Sequence, residues 1–129
     1  MSRLRVLVAD DNPAVLEKLT SLLAVEFDVV ATAADGKLAL DLIGRHKPDV
    51  AVLDLGMPVL NGVQVTQQLT QHAPPVVICS VHTDPEIVEA TRRAGALAYV
   101  SKSRIEKDLI STVKSVALSN RSSYQLHPK

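Results

Sequence analysis

A chain of 129 residues is long enough to bury one sizeable core and too short for two domains. Its composition, 47% hydrophobic and 22% charged, is typical of a globular protein and excludes a disordered one. The 14 basic residues balance the 14 acidic ones without forming a basic cluster, so we expect no direct binding of nucleic acid.

Two further features concern location. No apolar run approaches the roughly 18 residues that a membrane span needs, and the apolar stretch near the N-terminus becomes acidic too early for a signal peptide. The single cysteine, Cys79, lies inside an apolar run, as expected of a buried thiol in a reducing compartment. These features predict a cytoplasmic protein without a membrane partner.

Short runs rich in Val, Ile and Leu recur along the chain. We predict strands over residues 4–9, 27–33, 49–55, 75–81 and 96–101. The first, third and fourth runs are almost continuously apolar, which is typical of parallel strands covered on both faces.

Segments with helical spacing of apolar residues lie between these runs. The stripes that predict the first, second and fifth helices are Leu16, Leu19, Leu22 and Leu23; Leu38, Leu42 and Ile43; and Leu109, Ile110, Val113 and Val116. Residues 62–71 and 85–94 are the third and fourth predicted helices. Thr83 and Glu86 have the spacing of a capping box at the start of the fourth, with Pro85 in its first turn.

Strict alternation of strand and helix indicates an α/β fold. We expect an open parallel sheet with right-handed crossovers and helices on both faces. The domain is predicted to cover residues 1–119, and residues 120–129 are predicted to be a C-terminal tail or the stub of a linker.

Polar residues follow the predicted strands at their carboxyl ends, where open α/β sheets form their binding crevice. Asp10 and Asp11 end the first strand, Asp54 the third, Ser80 the fourth and Lys102 the fifth. Each residue alone could mark only the point where a strand leaves the core. Together they supply three carboxylates, a hydroxyl and an ammonium at one edge.

This set suits phosphoryl transfer. Clustered carboxylates repel each other unless a cation joins them, and a few oxygen ligands suit Mg²⁺, which also recruits phosphate oxygens. Asp54 would then be both a ligand and a nucleophile, with charge neutralised by the metal on one side and by Lys102 on the other. Ser80 could donate to a phosphoryl oxygen, and the product would be an aspartyl phosphate.

The residues resemble the receiver domain of two-component response regulators, in the CheY-like superfamily. The segments that carry the resemblance are VLVADD, AADGKLALDLI, PDVAVLDLGMPVLNG, VVICS and GALAYVSKS. The resemblance implies a doubly wound, flavodoxin-like (βα)5 fold with a five-stranded parallel sheet in the order 2-1-3-4-5. It also implies a module that a sensor histidine kinase or phosphotransfer protein phosphorylates, and that controls an output, such as transcription, outside this chain.

The resemblance also assigns roles to the metal and phosphoacceptor residues. Asp54 would be the phosphoacceptor, and Mg²⁺ would be bound by Asp11, Asp54 and the backbone carbonyl of Gly56, with Asp10 supporting the metal through water.

Further roles concern the phosphoryl group and the switch. Ser80 and Lys102 would hold the phosphoryl group. Ser80 and Tyr99 would form the switch, because Tyr99 stands where the family keeps an aromatic residue that swings inward as the strand-end hydroxyl moves toward the phosphate. The surface that changes would comprise the fourth helix, fifth strand and fifth helix, through which a homodimer could form.

Three features depart from the family pattern. Gly56 has no side chain where relatives often carry one that screens the acyl phosphate from water. Lys102 is followed by Ser103, where many receivers have a cis proline, so either this bond is trans and Lys102 is presented differently, or a strain of about 3–4 kcal/mol is tolerated. Ser80 follows Asp54 by only 26 residues, which a trimmed third helix or a shorter loop would explain.

Other functions compete with this one. A pseudo-receiver that docks without being phosphorylated stays open because of Gly56 and Ser103. A phosphatase of the haloacid-dehalogenase type would need a second carboxylate where Gly56 stands. A flavin-binding protein would need a phosphate loop where the acidic segment DDNP stands. We therefore expect no enzyme activity beyond assistance with its own phosphoryl transfer and dephosphorylation.

Overall fold

The computed structural model of the chain describes residues 3–69 and 73–126, with side chains described up to residue 119. Its strands are β1 (Arg5–Ala9), β2 (Asp28–Ala33), β3 (Val50–Asp54), β4 (Val76–Ser80) and β5 (Ala98–Ser101). Its α-helices are α1 (Pro13–Ala24), α2 (Gly36–His46), α3 (Gly62–Gln68), α4 (Pro85–Ala94) and α5 (Ile105–Leu126). A single 3-10 turn, Lys102–Arg104, joins β5 to α5.

All strand pairs are parallel, and the sheet has the order β2-β1-β3-β4-β5. The predicted fold class and strand order are therefore confirmed. The register places Asp54 beside Cys79 and Ser80 beside Ser101, so the carboxyl ends of β3, β4 and β5 are level with one another.

The sheet separates two apolar cores. Alternate residues of β1 face opposite sides, so Val8 packs with Leu19 of α1 and Leu109 of α5, whereas Leu7 packs with Ile43 of α2 and Val65 of α3. Both faces are thus covered, which explains the continuous apolar runs of the central strands. Among the described residues, no helix is both long enough and apolar enough to cross a membrane.

The helix starts differ in one place from the prediction. Asn12 caps α1 and Asp35 caps α2 through their side chains. The capping box predicted from Thr83 and Glu86 is wrong, because α4 begins at Pro85 after Asp84, which makes no side-chain cap hydrogen bond. Proline favours the first helical position, and that placement puts Glu86 one residue too early for a capping box.

Three helices also differ in detail from their sequence patterns. Leu38 of α2 is 42% exposed, and Gly36, Ala39 and Ile43 are the buried residues of that helix. The third helix, α3, has only seven residues, consistent with the trimmed helix that the short interval before Ser80 suggested. The backbone of α5 stays helical to residue 126, beyond the boundary predicted at residue 119.

Candidate functional site

The structure brings the charged residues predicted from the strand ends together at the carboxyl edge of the sheet. Asp10 and Asp11 directly follow β1, Asp54 is the last residue of β3, and Lys102 directly follows β5. Carboxylate oxygens of the three aspartates lie within 4.8 Å of one another. This proximity follows from the pairing of β1 with β3 at the centre of the sheet.

Lys102 is the counter-charge inside this cluster. Its Nζ lies 2.7 Å from Oδ2 of Asp10 and 2.9 Å from Oδ1 of Asp54. Asp10 is fully buried, and its other oxygen accepts a 2.9 Å hydrogen bond from the backbone N–H of Asn12. Asp54 is 7% exposed, whereas Asp11 is open to solvent. The site is therefore an acidic recess with one open side.

The ionisation of these groups reflects both burial and charge. Burial raises the pKa of the Asp54 carboxyl, and the charges of Asp10 and Asp11 raise it further, against the contact with Lys102. Burial by itself would lower the pKa of Lys102, but the contacts with Asp10 and Asp54 outweigh it and raise that pKa. The ammonium therefore stays charged at neutral pH.

The donor set fits Mg²⁺. Carboxylate oxygens are the hard ligands that this ion prefers, and three of them converge from Asp10, Asp11 and Asp54. Lys102 balances only one of the three negative charges, so a divalent cation would relieve the remaining repulsion. The open side at Asp11 leaves room for the water molecules that Mg²⁺ usually keeps.

The loop after β3 folds back tightly on Asp54. The N–H of Gly62 donates to the carbonyl of Leu55 at 3.0 Å, and a Cβ at position 62 would lie 2.6 Å from the Asp54 carbonyl oxygen. Only glycine fits at this close approach. Gly56 lies exposed in the same loop, and a Cβ there would meet nothing within 4 Å.

The two residues predicted to form the switch, Ser80 and Tyr99, both form hydrogen bonds with the backbone of His82. Ser80 is buried at the end of β4, and its Oγ accepts a 3.2 Å hydrogen bond from the N–H of His82. The hydroxyl of Tyr99, a half-buried residue of β5, donates to the carbonyl of His82 at 2.7 Å. Backbone groups leave no signature in a sequence, so this role of His82 could not be predicted.

The turn after Lys102 shows whether the Lys102–Ser103 peptide bond is cis or trans. The described residues contain no cis peptide bond, so the Lys102–Ser103 bond is trans, and Lys102 still reaches both carboxylates. The side chain of Ser101 accepts a hydrogen bond from the N–H of Ser103, and the two hydroxyls lie 2.9 Å apart. These serine contacts stabilise the turn.

Sequence reasoning missed two asparagines that support the site. Asn12 caps α1 and donates its N–H to Asp10, as described above. Asn61 forms a capping box with Gln64 at the start of α3, directly after the loop that follows Asp54. The spacing of Asn61 and Gln64 was a usable signal for this capping box.

Cys79 lies beside Asp54 in the sheet and is fully buried. Burial raises the pKa of its thiol to about 12. The thiol is therefore protonated at neutral pH and behaves as a small apolar residue, as its place in the sequence suggested.

Comparisons with known proteins agree with this geometry. The model of the response regulator receiver domain matches residues 6–114. The transcriptional regulatory protein DegU of Brevibacillus brevis is 34% identical over 99% of this chain and 55% of its own length. A protein-glutamate methylesterase/protein-glutamine glutaminase of Nitrosospira multiformis is 44% identical over 77% of this chain and 30% of its own length.

A solved structure gives the same result. The signal receiver domain of NarL from Mycobacterium tuberculosis superposes with a TM-score of 0.87 at 34% identity, covering 91% of this chain and 98% of that one. The chain spans about half the length of DegU and less than a third of the methylesterase. From the family match over residues 6–114 and the shared fold, the chain belongs to the response regulator receiver domains of two-component systems.

Proposed function

We propose that the chain is a phosphorylation-dependent switch in which Asp54 accepts a phosphoryl group from a sensor histidine kinase or a phosphotransfer protein, with Mg²⁺ bound. The observation that carries this proposal is the position of Lys102 Nζ between Asp10 and Asp54, inside a cluster of three converging carboxylates. A nucleophilic carboxylate, a metal-binding carboxylate set and a fixed cation are the groups that phosphoryl transfer to Asp54 needs.

In this proposal an oxygen of Asp54 attacks phosphorus. The bond from phosphorus to the donor nitrogen breaks as the new P–O bond forms, and its electron pair leaves with the donor imidazole. Lys102 keeps its proton, as its raised pKa favours, and neutralises charge on the phosphoryl oxygens. Ser80 donates to one of those oxygens from the end of β4.

Asp11, Asp54 and the backbone carbonyl of Gly56 would hold Mg²⁺, with Asp10 acting through water. When bound, the ion neutralises negative charge on the phosphoryl group and on the carboxylates. Asn12 supports this set because its N–H fixes one oxygen of Asp10. Asp10 is thereby held in a defined position before any ligand arrives.

The proposed switch uses the contacts of His82. A phosphoryl group on Asp54 would draw the hydroxyl of Ser80 away from the N–H of His82. The carbonyl of the same residue, His82, accepts the hydrogen bond of the Tyr99 hydroxyl, so the two contacts would change together. The change would alter the face formed by α4, β5 and α5, on which homodimerisation is proposed. Phosphorylation shifts the equilibrium only by as much as the phosphoryl group favours one arrangement.

The wider setting is also part of the proposal. The proposed receiver covers residues 1–119, and α5 continues from it to residue 126, within the proposed tail or linker of residues 120–129. The output, transcriptional in DegU by its name, is proposed to lie outside this domain. The chain acts in the cytoplasm, binds no nucleic acid through this domain and catalyses only its own phosphorylation and dephosphorylation. The balanced charge supports the lack of nucleic-acid binding, and the free, buried Cys79 supports a reducing compartment such as the cytoplasm.

Intact-mass spectrometry after incubation with acetyl phosphate, with and without Mg²⁺, tests the proposal. The wild-type chain should gain one phosphoryl group in a Mg²⁺-dependent manner, and Asp54→Ala should gain none. Asp28→Ala is the matched control, because Asp28 is exposed at the opposite end of the sheet and should leave the gain unchanged. A wild-type chain that gains no mass would favour the pseudo-receiver, which docks without phosphorylation.

A further inference from the structure

Gly36 begins α2, which contributes no side chain to the acidic cluster, yet it lies against the loop that follows Asp54. Its N–H donates to the carbonyl of Pro58 at 3.3 Å. A Cβ at position 36 would lie 1.8 Å from the carbonyl oxygen of Leu60 and 2.6 Å from its carbonyl carbon. The backbones of the two segments therefore approach so closely that only the hydrogen of a glycine fits.

The part of the loop that contacts Gly36 has a strained backbone. Val59 has φ of 66°, a conformation that is costly for a β-branched residue, although its side chain is 69% exposed. The N–H of Leu60 donates to the carbonyl of Pro58 at 2.8 Å, which closes a tight turn around Val59. Because the Val59 side chain is mostly exposed, its packing contributes little to the turn, whereas Pro58 and Leu60 on either side of it contact the backbone of Gly36.

Both ends of this loop are fixed. At one end Asp54 is held in β3, and at the other Asn61 caps α3 while Gly62 bonds to Leu55. A side chain at position 36 would have to move the Leu60 carbonyl by at least about 1.2 Å to reach a tolerable contact of 3.0 Å. With the ends fixed, that displacement passes back through residues 56–59.

We infer that Gly36 is a positioning residue for the metal site, because it admits the Leu60 carbonyl and so fixes the loop that carries Gly56. This inference rests on the proposed function, in which the Gly56 carbonyl is a ligand of Mg²⁺. Groups that orient metal ligands typically change metal affinity by about 10–100-fold when they are altered. We expect Gly36→Ala to weaken Mg²⁺ binding by about 10-fold.

Gly44 offers a matched control in the same helix. It is exposed, and a Cβ there would meet nothing within 4 Å. Gly44→Ala makes the same chemical change within α2 without touching the loop. A difference between the two variants therefore reports the contact with Leu60 and not the properties of α2.

Isothermal titration of the full chain with MgCl2 tests the inference, with folding of each variant checked by circular dichroism. Gly36→Ala should bind about 10-fold more weakly than wild type, and Gly44→Ala should bind like wild type. Carbonyl ¹³C NMR adds a local readout, because the Gly56 resonance should shift with Mg²⁺ at lower concentrations in wild type than in Gly36→Ala. Equal Mg²⁺ affinity in Gly36→Ala and wild type would overturn the inference.

Two other outcomes, an unfolded variant and a wild-type chain that binds no Mg²⁺, are interpreted as follows. If Gly36→Ala unfolds, the titration is done in sucrose and in the Gly44→Ala background, both of which favour the folded state. A chain that stays unfolded under both conditions would show that Gly36 serves the whole fold, and it would overturn the positioning role. If the wild-type chain binds no Mg²⁺, the proposed function fails. If the wild-type chain and Gly36→Ala bind Mg²⁺ equally, only the inference about Gly36 fails.

Discussion

Replacing Lys102 with Met keeps the length and the apolar stem of the side chain but removes its ammonium. Asp10 and Asp54, both buried, would then lose the cation that lies 2.7 Å and 2.9 Å from their oxygens. The change should destabilise the chain in the absence of Mg²⁺, because two buried carboxylates would repel each other without compensation.

The expected loss in the free energy of unfolding follows from the distances between Lys102 and the two carboxylates. At an effective dielectric constant of about 20, each of these two charge pairs is worth about 6 kcal/mol. Dehydration of the ammonium and its lost side-chain freedom offset more than half of that sum. We expect the free energy of unfolding to fall by about 3 kcal/mol, at the lower end of the range for breaking a buried ion pair.

Urea unfolding followed by far-ultraviolet circular dichroism measures this change. With a slope of about 1.5 kcal/mol per molar urea, the midpoint should fall by about 2 M. Lys114→Met is the control, since Lys114 pairs with Glu26 on the surface and its removal should cost less than about 1 kcal/mol. Excess MgCl2 should restore much of the loss, because a ligand of the folded state alone stabilises it. A loss at Lys102 no larger than at Lys114 would refute the reasoning.

The dependence on pH has a defined sign. The folded pKa of Asp54 lies above its ordinary value, so the folded chain holds that proton more tightly than the unfolded chain does. Without Lys102 this pKa should rise further. The penalty of Lys102→Met should therefore be full at neutral pH and shrink as pH falls through the folded pKa of Asp54. A penalty that grows on acidification would contradict this account.

Three further changes have expected outcomes. Asp54→Asn should stabilise the chain at neutral pH and raise Tm in a circular dichroism melt, because burial disfavours the Asp54 anion; a lower Tm would contradict this. Gly56→Asn should fold like wild type, since its Cβ has open space, and should prolong the phosphorylated state severalfold in a phosphate-release assay by screening it from water. An unchanged half-life would argue against shielding. Asn61→Ala should lower the free energy of unfolding in urea by about 1 kcal/mol through loss of the capping box, and no loss would show that the cap contributes nothing.

Much of the fold was predictable from the sequence because apolar runs and helical stripes are local signals. The predicted strands match the observed ones, and no strand end is shifted by more than two residues. The convergence of Asp10, Asp54 and Lys102 was also predictable, since the carboxyl ends of parallel strands share one edge. These inferences need only the period of the pattern and the order of the elements.

Other features depend on contacts between distant segments and could not be predicted. The close approach of Gly36 to Leu60 joins the start of α2 to the loop after β3, and no local pattern relates these two segments. The contact of Tyr99 with His82 involves a backbone carbonyl, which every residue offers equally. Two local signals conflicted at the start of α4: the spacing of Thr83 and Glu86 favoured a cap at Thr83, and Pro85 favoured a start at residue 85. The helix starts at Pro85, in agreement with the fixed φ of proline.

Cys79 is the single thiol of the chain, and it lies fully buried in β4 next to Asp54. A thiol reagent can reach it only when the strand opens, because the folded chain excludes the reagent and the raised pKa keeps the thiol protonated. Its rate of alkylation therefore measures how often β4 opens transiently between β3 and β5, without an introduced cysteine. Slower alkylation of Cys79 upon addition of a metal ion or a phosphoryl donor would show that the added group binds at the carboxyl edge of the sheet and reduces the opening of β4.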